Sequence, residues 1–210
     1  TLALQQGQFS GLTRDEVVID TALAQRMELS PGDKLRFGTA EFSIAGPPAG
    51  VADRELGARH YAELLELGKE YGVKPAFEYL GFVEDINTIE DAIDIIQRSE
   101  RPDATIVVDP FHCWRGGGPV ASISKLKEQQ IAISHFNDAI DATPAHTQHD
   151  SDRVLPGDGS FDLRFYCDQL TAIGYDRYLS LELFRQDLWA ADPLFVARLG
   201  LQKMKAVVEG

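Results

Sequence analysis

Four apolar runs recur in the later part of this sequence, each separated from the next by a stretch with helical spacing. They are KPAFEYL (74–80), ATIVVD (104–109), IAISHF (131–136) and YLSLELF (178–184). A strand with one wet face alternates apolar and polar residues. A run that is apolar almost throughout is buried on both faces, as parallel strands covered by helices are. Residues 52–72 carry Leu56, Tyr61, Leu64, Leu65 and Leu67 at helical intervals and stop at Gly72. Further helices are expected over 87–100, with Asn87 and Glu90 spaced as a capping pair, and over 119–129, 161–173 (ended by Gly174) and 193–208. Strands alternating with helices in this way predict a parallel α/β fold.

The chain changes character near residue 47. Residues 1–46 read as a small β-rich segment: a strand in EVVID (16–20), a short helix in TALAQRMEL (21–29), a turn into a strand in SPGDKLRF (30–37), and a strand in AEFSIAG (40–46). GPPAG (46–50) is a rigid breaker, so residues 47–51 read as a junction and 52–210 as the second domain. The 210 residues are 44% hydrophobic and carry a net charge of −13. That composition suits globular domains with a real core, and the acidic balance argues against nucleic acid or an anionic membrane as a partner. Cys113 and Cys167 lie far apart and form no metal-type pair, which points to free thiols in a reducing, cytoplasmic setting. No apolar run is long enough for a membrane helix, and no basic-then-apolar leader precedes the first strand; the opening at Thr1 leaves room for an upstream segment.

Each of the four runs delivers a polar group near its C-terminal end: Glu78, Asp109, His135 and Glu182. In a βα barrel those ends meet at one mouth, where active sites form. Three carboxylates held together repel one another unless a cation neutralises them. Oxygen ligands with one imidazole suit a single divalent ion, Mn²⁺ or Mg²⁺, with Co²⁺ and Zn²⁺ as alternatives. Taken singly, each residue has a plainer reading: a buried salt-bridge partner for a glutamate, a core histidine for His135. Four coincidences at equivalent strand positions are needed to sustain those readings together.

Residues 52–210, about three quarters of the chain, resemble the sugar isomerase/epimerase branch of the xylose isomerase-like TIM barrels. FEYLGF, VVDPFH, SHFND, DRVLPGDGSFD and LSLELFR occur in that family's order, and the likeness is greatest to inosose (2-keto-myo-inositol) isomerases. The resemblance implies Glu78, Asp109, His135 and Glu182 as metal ligands, and His112 and Arg153 as groups that hold substrate oxygens. It implies a keto-sugar or keto-inositol as the small-molecule partner. A metal bound to a carbonyl and its neighbouring hydroxyl acidifies the carbon between them, so Glu78 and Glu182 are the candidates to remove and return a proton through an enediolate. His112 would stabilise the developing oxyanion. Apurinic endonucleases share this scaffold but carry a third zinc-binding residue where this chain has Val154. Dehydration of a keto-acid such as dehydroshikimate would use the same ligand set.

Only the portion that resembles strands five to eight of an eight-stranded barrel is legible, preceded by the helix after strand four. The expected fold is therefore the C-terminal half of a TIM barrel. Residues 1–46 resemble instead the extracytoplasmic domain of an ABC-transporter permease. A half barrel exposes two sheet edges, which invites a homo-oligomer to cover them. The alternative is a non-catalytic fusion or chimeric fragment that retains a metal-binding site. CWRGGG (113–118) reads as a loop, His146 and His149 as parts of a solvated loop, and Phe184 and Arg185 as pocket rim or surface.

Overall fold

The computed structural model describes residues 53–210, together with the backbone of three short strands before them. The chain divides into two units, residues 1–51 and 52–210. In the first, strands β1 (Glu16–Val17), β2 (Lys34–Phe37) and β3 (Ala40–Ile44) form a sheet in the order β1-β3-β2, with β2 antiparallel and β1 parallel to β3. The helix expected over 21–29 and the GPPAG junction lie outside the described residues.

The second unit runs α1 (Arg54–Glu70), β4 (Phe77–Glu78), α2 (Ile89–Arg98), β5 (Ile106–Val108), α3 (Pro110–Gly116), β6 (Ile131–Phe136), β7 (Asp138–Ala139), β8 (Arg153–Val154), α4 (Leu163–Ala172), β9 (Leu179–Leu181), α5 (Gln186–Trp189) and α6 (Pro193–Glu209). Strands β4, β5, β6 and β9 form one all-parallel sheet in chain order, and β7 pairs antiparallel with β8. Helices follow or precede each parallel strand, the βα pattern that the apolar runs predicted. Among the described residues β4 and β9 each have one neighbour in the sheet. No described helix is long and apolar enough to cross a membrane.

The core lies between the sheet and its helices. Leu65 of α1, Ile95 and Ile96 of α2, Ile106 and Val108 of β5, Phe136 of β6 and Tyr166 of α4 are all buried in it. Each such large side chain contributes about 1.5–3 kcal/mol by leaving water. An ion-pair network fastens α1 to α2: Arg54 reaches Asp91 Oδ1 at 2.6 Å and Asp94 Oδ2 at 3.3 Å.

Local chemistry corrects several expected boundaries. The cap of α2 is Thr88, whose Oγ1 accepts from Asp91 N at 3.2 Å while Asp91 Oδ2 accepts from Thr88 N at 3.1 Å. Asn87 instead donates to Val83 O, so the capping box sits one residue later than Asn87 and Glu90 suggested. The helix expected over 119–129 is two 3₁₀ turns, 120–125 and 128–130. Ser124 Oγ bonds locally, to Ala121 O at 2.7 Å, in competition with a longer helix. CWRGGG is not a loop at its start: Pro110 occupies the first turn of α3, and the helix runs to Gly116 before Gly117 closes it in a left-handed conformation (φ 73°). Of the run 74–80, Phe77 and Glu78 pair in the sheet, with β5.

The buried hydroxyl of Tyr61 on α1 ties this helix to β5, donating to Thr105 O at 2.7 Å and accepting from Thr105 N at 2.9 Å. Thr105 O also accepts from Phe77 N at 2.8 Å, so Tyr61→Phe leaves Thr105 N as the buried backbone group short of a partner and should lower stability by about 1–3 kcal/mol in urea denaturation.

Candidate metal centre

A register shift in the sheet sets the centre. Ile106 pairs with Ile131, but Val107 pairs with Ile133 and Val108 with Ser134. The extra residue in β6 brings Asp109 level with His135. Without it Asp109 would stand beside Ser134, whose side chain points to the other face. His135 in turn pairs with Ser180, two residues before Glu182, and Glu78 pairs with Val107, two residues before Asp109. Alternation along the strands then turns all four polar groups to one side.

The four ligand atoms of Glu78, Asp109, His135 and Glu182 lie within 4.8 Å of one another. His135 Nδ1 stands at the middle, 3.3 Å from Glu78 Oε1, 3.2 Å from Asp109 Oδ2 and 3.0 Å from Glu182 Oε2. Asp109 is fully buried, while Glu78 and Glu182 are 20% and 30% exposed. Glu78 Oε1 is buried without a hydrogen bond of acceptable geometry. A buried carboxylate oxygen left in that state, facing two further carboxylates and an imidazole nitrogen, is what a divalent cation of the Mn²⁺, Mg²⁺, Co²⁺ or Zn²⁺ type satisfies.

Two cations of the chain balance the acids. Burial disfavours charge on His135, but the facing carboxylates of Asp109, Glu182 and Glu78 outweigh that and lift its pKa to about 11. Arg153 is buried, with Nη1 2.8 Å from Asp109 Oδ2 and 2.5 Å from Glu182 Oε2, and Nη2 2.7 Å from Asp150 Oδ1. Its guanidinium is sandwiched by Phe111 (4.8 Å) and Phe184 (5.3 Å). Burial alone would raise the Asp109 carboxyl; the His135 hydrogen bond and the charges of Arg153 and His135 instead hold it well below the usual range. Glu182 is lowered in the same way against burial, by His135 and then Arg153.

His112 sits in the first turn of α3, capped by Asp109. Burial depresses its pKa, so the ring is neutral. Gly81 N donates to Nδ1 at 3.2 Å, which leaves the ring proton on Nε2, 3.9 Å from Glu78 Oε1. Arg153 Nη2 approaches that same nitrogen at 3.2 Å, a meeting of two N–H groups in this tautomer. A Cβ at Gly81 would lie 2.6 Å from His112 O, so the close approach requires glycine.

All six residues expected from the sequence therefore gather in one place. Arg153 does so with both Nη atoms engaged by protein carboxylates, so the fork that the sequence offers to substrate oxygens is already occupied. His146 and His149 are exposed and outside the cluster. Phe184 covers Arg153, and Arg185 pairs with Asp187 at 2.6 Å. A cavity of about 410 Å³ lined by Cys113, Trp114, Phe161, Phe165 and Tyr166 contains none of the four clustered residues.

Sequence reasoning missed the supports. Asp138 is buried and accepts from Gly157 N and Gly159 N at 3.1 Å and from Phe161 N at 3.0 Å, so it ties the PGDG turn beneath β8. Asp150 holds Arg153, and Asn137 donates to Asp109. The adjacency of Asn137 and Asp138 to His135 was the only signal.

Replacing Arg153 by methionine should cost the metal-free protein about 3–5 kcal/mol at pH 7, because buried Asp109 loses its guanidinium partner at 2.8 Å. The depressed carboxylates stabilise the fold above their unfolded pKa, near 4, and lose that contribution as pH falls. The difference between variant and parent, followed by denaturation in chelator, should therefore shrink below about pH 4.

The family model described as the xylose isomerase-like TIM barrel matches residues 27–207, beginning inside the segment 1–46. The inosose isomerase of Bacillus subtilis is 34% identical over 128 residues, 60% of this chain and 46% of that protein. The 3-dehydroshikimate dehydratase of Pseudomonas aeruginosa is 29% identical over 202 residues, 93% of this chain and 31% of that protein. A crystal structure of the IOLI protein with a binding zinc atom superposes with a TM-score of 0.69 at 27% identity, covering 79% of this chain and 62% of that one. The chain thus spans half or less of the length of those two relatives, and it belongs to the xylose isomerase-like TIM barrel family.

Proposed function

We propose that residues 52–210 carry a divalent-metal-dependent isomerase or epimerase site for a keto-sugar or keto-inositol, of the inosose isomerase kind. The observation that carries this reading is the convergence of Glu78, Asp109, His135 and Glu182, from four successive parallel strands, to within 4.8 Å. The likeness to an inosose isomerase and to a zinc-holding structure supports it. In this reading those four residues hold the ion. The ion, whether Mn²⁺, Mg²⁺, Co²⁺ or Zn²⁺, supplies Lewis acidity toward a carbonyl and its neighbouring hydroxyl.

The chain's own groups do the rest. Glu78 and Glu182 stand on the first and last strands of the sheet and so flank the centre from opposite sides. One takes the proton from the carbon between the two oxygens, giving an enediolate, and the other returns it. His112 presents its Nε2 proton to the developing oxyanion. Arg153 acts as a substrate group only through what it leaves free, and chiefly holds Asp109 and Glu182 in place.

A homo-oligomer belongs to the same reading. Among the described residues β4 and β9 each have one neighbour in the sheet, α1 and its cap expose Leu64, Leu67 and Tyr71, and the β9–α6 region exposes Tyr178, Trp189 and Leu194. The small N-terminal segment, the junction 47–51 and a cytoplasmic setting complete it, the first supported by the division at residue 51. A non-catalytic fragment that retains the metal site is the second reading, favoured by those same single-sided strands.

Elemental analysis should find about one divalent ion per chain, and the loaded protein should incorporate solvent deuterium into inosose or a ketohexose. Glu78→Gln and Glu182→Gln should each lower that exchange by about 10²–10⁴-fold. Metal without exchange would leave only a binding site. Light scattering should show a mass above 23.2 kDa, and a clean monomer would remove the oligomer.

A further inference from the structure

We propose that Asn137 is a positioning residue for Asp109, turning that carboxylate so that Oδ2 alone faces the centre. This rests on the metal reading above. The two oxygens of Asp109 have separate tasks. Oδ1 accepts from Phe111 N at 2.8 Å and from Asn137 Nδ2 at 3.1 Å. Oδ2 faces His135 Nδ1 at 3.2 Å and Arg153 Nη1 at 2.8 Å. A carboxylate only accepts, so the amide must present its nitrogen. Phe111 N, a helix-cap donor, holds Oδ1 from the helix side, and Asn137 adds a second donor from the strand side that keeps Oδ1 turned away from the centre.

The fold gives no separate reason for an amide at this position. Asn137 is fully buried, and its Oδ1 has no hydrogen bond. An apolar side chain of the same size would bury no unmet amide oxygen, so the amide is explained by what its nitrogen holds rather than by packing. Among the described residues, the one bond Asn137's side chain makes is the one to Asp109. Its place two residues after His135 sends both side chains to the same face of the strand line. Groups that orient metal ligands in this way are worth about 10–100-fold in metal affinity.

The test compares the parent, Asn137→Leu, Asn137→Ala and Asp109→Asn by calorimetric titration with Co²⁺, by the Co²⁺ absorption spectrum, and by melting in chelator. Asn137→Leu should bind Co²⁺ about 10–100-fold more weakly with an altered spectrum, while the metal-free variant still melts cooperatively. Should the leucine variant not fold, the alanine variant carries the same expectation for affinity and spectrum. Parent-like affinity and spectrum in the folded Asn137 variant overturn the assignment alone. A parent that binds no Co²⁺, or Asp109→Asn binding as tightly as the parent, overturns the metal reading and this assignment with it.

Discussion

Three carboxylates share one small volume at the strand ends, and the whole second unit is arranged around their repulsion. Asp109 has no access to water, so its charge must be met by the protein or by an ion. The chain meets it twice over, with Arg153 from β8 and with the imidazole of His135. Arg153 is at once ion pair, aromatic filler between Phe111 and Phe184, and brace for Asp150. Such a triad is costly to bury and stays only where the surrounding geometry is set with care. That cost is reasonable for a site and hard to justify for a core.

The fold supplies this geometry with few devices. A register shift in β6 puts His135 beside Asp109. The first turn of α3 uses the Asp109 carboxylate as its cap, so one residue ends a strand, starts a helix and faces the centre. Pro110 fixes that turn, and His112 follows on the same helix with its tautomer set by Gly81 N. Fold and chemistry are thus joined within the six residues Val107 to His112.

Much of this was legible in the residues. Parallel α/β order follows from apolar runs such as ATIVVD, since only strands covered on both faces need be so uniformly apolar. The four clustered residues follow from their shared position at strand ends. What did not show was whatever depends on a partner distant in sequence. That Arg153 would be consumed by Asp109 and Glu182, 44 and 29 residues away, has no local signature. Thr88 and Asn87 are both good caps, and Asp91's reach decides between them. The 3₁₀ turns after Pro119 look helical in composition, because serine's competition with the backbone is invisible to apolar spacing. Asp138 looks like any loop acid until the backbone of the glycine turn is seen folded onto it.

The run His135-Phe136-Asn137-Asp138 divides its side chains between two jobs. His135 and Asn137 address the carboxylates, while Phe136 enters the core and Asp138 gathers the backbone of residues 157–161. The space around Asp138 is already full: a methyl at Gly159 would lie 2.2 Å from its Oδ1. Loss or gain of one residue anywhere in this tetrad would exchange the two roles at a stroke. Length variation among natural sequences should therefore collect in the 140–152 excursion and spare these four positions.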